Sequence, residues 1–378
     1  MKQRFYSLDV FRGATVAFMI LVNNPGSWSY IYAPLEHAPW HGCTPTDLVF
    51  PFFLFAVGNA MAFVMPRLQE AGDTAFLKKV FTRTLLIFGI GLFLNWFPFV
   101  KWSGDHLVFK SWTEPAARPG GEPGGIRILG VLQRIALAYC FASLIIYYGK
   151  IRVALLTGIV ILLGYWTVCL LAGATGDPYS LTGYFGTAID KAVLGVSHMY
   201  KGEGVAFDPE GLASTLPAIV QVIFGYLVGN YIVQKGKTYE MIAKLFVVGC
   251  LFTFTGACWD MVFPINKKIW TSSFVLYTTG LAILVLCVLM YLIEMREVRG
   301  WWSKFFDVFG KNALFIFMIS GILPRLYGLF KISGWMYDHV FSPALGPLNG
   351  SLAGAIYTVL TSWVLAYLLD RKKIYIRV

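Results

Sequence analysis

The run Val153-Ala-Leu-Leu-Thr-Gly-Ile-Val-Ile-Leu-Leu-Gly-Tyr-Trp-Thr-Val-Cys-Leu-Leu-Ala172 holds twenty residues and no charge. About 20 apolar residues are what an α-helix needs to cross a bilayer, where lipid offers no partner to an unpaired backbone group. Similar segments lie on both sides of it. The pattern predicts ten spans, over 8–24, 47–66, 80–98, 127–148, 153–172, 212–234, 245–263, 271–293, 305–323 and 351–369. The expected fold is an all-α integral membrane protein, a bundle of about ten transmembrane helices. No linker or clear internal repeat divides it, so residues 1–378 read as a single domain.

Composition supports this. The 378 residues are 57% hydrophobic, 17% aromatic and 13% charged, with mean hydropathy +0.65. A soluble domain is about 25% charged. So little charge cannot cover a soluble globule, which excludes a soluble enzyme and a disordered chain. The long continuous runs argue against a membrane β-barrel, whose strands are short and alternating.

Net charge is +11. Ten spans place both termini on one side. That side holds Lys2, Arg4, Arg12, Arg67, Lys78, Lys79, Arg83, Lys150, Arg152 and Lys235. It also holds Lys237, Lys244, Arg296, Arg299, Lys304, Arg371, Lys372, Lys373 and Arg377. These are 19 of the 31 basic residues, beside 8 acids, while the opposite side has 12 of each sign. The positive-inside rule therefore puts both termini in the cytoplasm, and the charge needs no nucleic acid to explain it. The N-terminal run is too long for a cleavable signal peptide and lacks a clean small-residue cleavage site. Six cysteines without a C-x-x-C pair argue against a disulfide framework and against zinc.

The longer loops, 25–46, 99–126, 173–211 and 324–350, lie opposite the termini, with all five histidines in or beside them. The densest polar cluster runs from Asn23 to Asp47. His37 is a candidate base near neutral pH, Asp47 its orienting carboxylate, and Asn23 a donor to a developing oxyanion. The alternative is a polar outer loop with a helix-capping Asp47 and interfacial Trp28 and Trp40. His37 and His41 have metal-ligand spacing, but Pro39 and Gly42 disfavour a helix and no third ligand is evident, so no metal is expected.

Arg127-Ile-Leu-Gly-Val-Leu-Gln-Arg134 reads as the start of a span. It would put Arg134 about 10 Å below Arg127, inside the membrane, as a ligand-binding charge or a helix-locking salt bridge. Asp208-Pro-Glu210-Gly suggests acids that cap a helix dipole, or that bind an ammonium or sugar hydroxyls. Pro264-Ile-Asn-Lys-Lys-Ile-Trp270 is a tight basic turn. Lys311 and Asn312 fall near the ninth span, and Arg12 near the inner end of the first. The common nucleotide-binding and hydrolase signatures, G-x-G-x-x-G, Walker A and G-x-S-x-G, are missing in their required contexts.

Several blocks together resemble the heparan-α-glucosaminide N-acetyltransferase family, in its compact bacterial form. They are Leu8-Asp-Val-Phe-Arg-Gly through Asn23, His37-Ala-x-Trp-x-Gly-x-Thr-x-x-Asp47-Leu-Val-Phe-Pro51 and Arg127-Ile-x-Gly-Val-Leu-Gln-Arg134. Asp208-Pro-Glu-Gly211, Pro264-x-Asn-Lys267-x-x-Trp270 and Gly310-x-Asn312 complete the order. The resemblance implies a multi-pass enzyme of the bacterial inner membrane, expected as a homodimer. It would transfer acetyl from cytosolic acetyl-CoA to an amino-sugar acceptor on the far side. The family's histidine falls on His37, its asparagine on Asn23 and its aspartate on Asp47. Arg12, Arg134, Lys311 and Asn312 are then expected toward acetyl-CoA. Trp40, Arg127, Gln133, Asp208, Glu210, Asn266 and Lys267 are expected toward the sugar. Direct transfer and an acetyl-histidine intermediate both remain open. So do a carrier of amino sugars or chitin fragments, and an acyltransferase acting on a cell-wall or lipid-linked glycan.

Overall fold

The computed structural model describes residues 5–113 and 124–376. Lys2, Arg4 and Arg377 of the charge count, and 114–123 of the second long loop, lie outside them. The regular elements of the described chain are helices and one small hairpin, joined by irregular loops. Its first elements are α1 (Tyr6–Asn23), α2 (Val49–Ala71) and α3 (Asp73–Trp96), then the antiparallel strands β1 (Val100–Ser103) and β2 (His106–Phe109). Next come α4 (Val131–Ala172), α5 (Gly186–Leu194), α6 (Leu212–Lys235), α7 (Tyr239–Asp260) and α8 (Ser272–Met290). The last are α9 (Trp301–Lys311), α10 (Ala313–Leu329), the short α11 (Ile332–Met336) and α12 (Ser342–Leu345), and α13 (Pro347–Arg371).

Among the described residues, six helices are long and apolar enough to cross a membrane, or seven if the bent pair α9 and α10 is one span. Two of the expected spans fall within α4. Lys150 interrupts that helix with φ 57° and ψ −170°, outside helical space, so α4 is two legs joined at a kink. The expected ninth span is also broken. Its halves meet at 85° around Asn312.

Small residues let the inner helices approach. A side chain at Gly58 of α2 would strike the Val222 carbonyl of α6, and one at Gly225 would strike the Phe55 carbonyl, so the two backbones touch reciprocally. The core between them includes Leu54, Phe55, Val222 and Ile223, all fully buried. Apolar side chains also cover the outside, as with Leu171 (78% exposed) and Phe254 (69%). In water such a surface would drive association, whereas a lipid solvent accepts it at no cost.

Candidate active site

His37 lies in an irregular loop, where Pro34 and Pro39 prevent a regular helix. Asp47 lies in the 3₁₀ turn Pro45–Leu48 that opens α2. Its Oδ2 accepts from the Ala38 and Thr44 N–H groups, both at 3.0 Å, and from Thr44 Oγ1 at 3.1 Å. Its Oδ1 stands 2.7 Å from His37 Nδ1. A carboxylate accepts only, so Nδ1 carries the hydrogen, and in the neutral ring Nε2 is the nitrogen with the lone pair. Asp47 thus makes the contacts of both sequence readings. One oxygen caps the helix and the other orients the imidazole.

Lys267 completes this cluster from the α7–α8 loop. Its Nζ is 3.0 Å from His37 Nδ1, 3.4 Å from His37 Nε2 and 3.4 Å from Asp47 Oδ1. Burial pushes its ammonium below the ordinary lysine range, against the pull of Asp47 and Glu210. Neighbouring Asn266 shapes the loop. Its Oδ1 accepts from the Ile269 N–H at 3.0 Å and its own N–H donates to Thr271 Oγ1 at 3.0 Å. It is fully buried, reaches His41 at 3.4 Å, and is a folding residue rather than a cavity wall.

A cavity of about 290 Å³ joins His37 and Lys267 to Asn23, Trp40, Arg127 and Glu210. Asn23 is exposed at the end of α1 and opens into it. Trp40 is fixed by its indole N–H donating to the Tyr179 carbonyl at 2.9 Å. Arg127 forks onto Asp208, at 3.0 and 2.5 Å, and onto Glu210, and lies 4.7 Å from the Tyr200 ring centre. Burial alone would lower Arg127, but Glu210 and Asp208 hold it above the arginine range. Burial would likewise raise Glu210, but Arg127 and then Arg134 hold it below the usual carboxylate range.

A second cavity, of about 810 Å³, lies at the opposite ends of α1 and α2. Arg12, Arg67, Lys79, Arg83 and Lys311 line it, and it shares Phe53 and Ile135 with the His37 cavity. Arg12 and Lys311, both expected toward the donor, line this cavity, yet both are engaged. Arg12 donates to the Gly310 carbonyl (2.8 Å) and Asp9 (2.9 Å), and Lys311 meets Asp307 (2.7 Å) and Asp370 (3.0 Å). The looser cations are three that the sequence reading counted only as topology signals: Arg67, Lys79 and Arg83. Arg83 stacks over Tyr139 at 4.7 Å, and its buried Nε has no hydrogen-bond partner.

Other expectations need correction. Arg127 is not on a helix with Arg134, because Gly130, with φ 163° and ψ −173°, directly precedes α4. Arg134 does not line a donor route. It is 1% exposed, packs on Trp270 at 5.0 Å, and donates to Ser214 and, at 3.2 Å, to the Gly211 carbonyl, which ties α4 to α6. Asn312 is buried as well. Its amide bonds the backbone of Ile374 (3.0 Å) and Ile376 (2.9 Å), pinning the C-terminal segment at the bend. Gln133 donates to the Ile128 carbonyl at 2.9 Å and faces a neighbouring polar cleft of about 430 Å³, not the His37 cavity.

Asp208 is buried against Arg127 and is not offered to a ligand. The residue that caps α6 was not foreseen. Asp190 of α5 accepts the Leu212 N–H at 2.8 Å, and a side chain on Gly211 would collide with its carboxylate. Burial raises Asp190 to about 6. Among the described residues no group of three or more His, Cys, Asp or Glu is placed to hold a metal.

No family model matches the chain. Over 98% of its length it is 25% identical to the heparan-alpha-glucosaminide N-acetyltransferase of Homo sapiens, and 25% identical to that of Mus musculus. It covers 59% and 60% of those proteins, so the chain spans about three fifths of the length of the curated relatives it matches. Similarity at this level along nearly the whole chain supports a distant relationship to the heparan-alpha-glucosaminide N-acetyltransferases.

Proposed function

We propose that this chain is a membrane N-acetyltransferase that moves acetyl from acetyl-CoA to the amine of an amino sugar. The observation that carries this reading is the pair of abutting cavities, one basic and one built around His37, which share Phe53 and Ile135. Arg12 and Asn23, one at each cavity, are eleven residues apart on α1, or about 16 Å at the helical rise. The CoA phosphates bind at the cytoplasmic mouth, where Arg67, Lys79 and Arg83 offer charge with few internal partners. The thin pantetheine arm then runs between the helices and presents its thioester to His37. We read the rest of the arrangement as one domain of ten spans, with α1 and α3 among them and each leg of α4 crossing separately, and with both termini on the basic side.

The acceptor enters from the His37 side, where Trp40 offers a ring face and Glu210 a carboxylate. His37 Nε2 removes the amine's proton, and Asp47 stabilises the imidazolium through Nδ1–H. The amine nitrogen bonds to the thioester carbon. Asn23 donates to the oxyanion, and collapse expels the CoA thiolate, which takes the proton from His37. In a two-step variant His37 attacks first and carries the acetyl group.

The test uses purified protein in detergent with acetyl-CoA and glucosamine, following thiol release. Amine-dependent release that disappears in His37→Ala is the expected result. No release with a panel of amino sugars, together with labelled-sugar uptake into proteoliposomes, would overturn the reading in favour of a carrier.

A further inference from the structure

We propose that Lys267 is a self-acetylation site: without an acceptor sugar, the enzyme transfers acetyl to its own Lys267 amine and blocks itself. The inference rests on the acetyltransferase reading, which supplies acetyl-CoA as co-reactant.

The argument begins with position. Lys267 Nζ is 3.0 and 3.4 Å from the two ring nitrogens of His37. An acetyl group delivered to His37, on CoA or on the imidazole, therefore arrives beside a primary amine that is part of the cavity wall. A sugar must be bound from solution, whereas Lys267 is already in place, and held proximity removes most of the entropic barrier to attack.

The second question is whether the amine can be neutral. An ammonium has no lone pair, and a strong ion pair would protect it. That protection is weak here. Asp47 Oδ2 already takes three hydrogen bonds and Oδ1 is engaged by His37 at 2.7 Å. Lys267 stands 3.4 Å from the same Oδ1, well beyond the usual charge-assisted contact of about 2.7–2.9 Å. Of the other groups that bear on it, Glu210 is committed to Arg127, and Cys43 is pushed up to about 12 by burial and by Asp47, so it brings no negative charge. Lysine ammonium in such a place sheds its proton more readily than one in water.

The chemistry balances. The neutral Nζ bonds to the acetyl carbonyl carbon, and the C–S bond to CoA breaks, or the C–N bond to His37 in the two-step route. The proton lost from Nζ passes through His37 to the departing thiolate, or, in the two-step route, to the imidazole released as the C–N bond breaks, which hands it on to the CoA thiolate freed in the first step. The products are an amide on Lys267 and free CoA. The amide carries no charge and two more carbon atoms, and it occupies part of a cavity of only about 290 Å³ beside the base. A bound acceptor would both compete for the acetyl group and shield the lysine.

The experiment incubates the full chain in detergent with radiolabelled acetyl-CoA, with and without glucosamine. It removes acid-labile and hydroxylamine-labile acetyl groups and maps the stable label by peptide mass spectrometry. The expected result is acetyl-lysine at Lys267, at least about tenfold above any other lysine, a small part of what an oriented neighbour can gain. It should form faster as pH rises, fall when glucosamine is present, and vanish in Lys267→Arg. Label at Lys267 without thiol release to glucosamine still supports the inference, with the wrong sugar in the tube. Amine-dependent thiol release with no stable label at Lys267 in the wild-type chain overturns it and leaves the acetyltransferase intact. Neither thiol release nor label overturns both.

Discussion

The two cavities hold charge in opposite ways. Around His37, nearly every ionised group has a partner: Asp47 takes four hydrogen bonds, Arg127 serves two carboxylates, and Lys268 meets Glu203 at 2.9 Å. At the basic cavity Arg12 and Lys311 are engaged, while Arg67, Lys79 and Arg83 face an open space of about 810 Å³. Fixed, satisfied charge suits chemistry, because donors and acceptors need not reorganise when charge develops. Loose charge of one sign suits capture of an anionic ligand from water. On the proposed reading, this contrast assigns chemistry to one end of the protein and donor capture to the other.

The comparison makes sharp demands. His37→Ala should lower kcat about 10²–10⁴-fold, the usual worth of a positioned acid–base group, with acetyl-CoA binding intact. Thiol-release kinetics beside a calorimetric binding isotherm check this, and lost binding would mean the cavities do not work separately. Asn23→Ala should cost about 10²–10³ in kcat with little change in KM, as for loss of one oxyanion donor. A change confined to the sugar KM would make Asn23 a sugar contact instead. At the other end, Arg83→Met or Lys79→Met should raise the acetyl-CoA KM about tenfold with kcat unchanged, for one lost charge-assisted hydrogen bond. The defect should shrink as salt rises and the phosphate contact is screened. A kcat defect at constant KM would remove the donor from that cavity.

The smallest effect lies behind the His37 cavity. Asp190 titrates near 6 when folded, above an unfolded aspartate at about 3.9. Between those values the folded chain binds the extra proton, so this group's contribution to stability falls as pH rises from about 4 to 6. Asp190→Asn keeps an oxygen for the Leu212 N–H and removes the charge. It should flatten the pH dependence of Tm across that window, by on the order of 1–2 kcal/mol of stability. An unchanged slope would assign the pH dependence to other groups.

The sequence points to His37, Asn23, Trp40, Arg127, Glu210 and Lys267 as candidate site residues, and the fold brings these six, from five separate blocks, to one cavity. What made them legible is that those residue types sit in blocks with a recognisable order. Arg134, Asn312, Asn266 and Gln133 lie in or beside the same blocks but turn to helix contacts, a backbone bend, a loop and a neighbouring cleft. A block identifies a neighbourhood, and the direction of each side chain within it depends on packing. Arg67, Lys79 and Arg83 were passed over for the converse reason. Basic residues at helix ends are what the positive-inside rule predicts anywhere, so their convergence on one cavity leaves no mark in the sequence.

What the sequence by itself determined is the solvent and the class. Twenty uncharged residues in a row, and 13% charge overall, require helices whose outsides meet lipid, because backbone groups there must bond to one another. What only the tertiary structure decided is which charges stay available. Asp190 reaching across to cap α6, Lys150 breaking α4, and Lys267 lying 3.0 Å from His37 over 230 positions all depend on helices packed against distant partners. Local periodicity fixes which face of a helix is apolar, but the energy of a buried charge depends on every group around it, and those groups come from the whole chain.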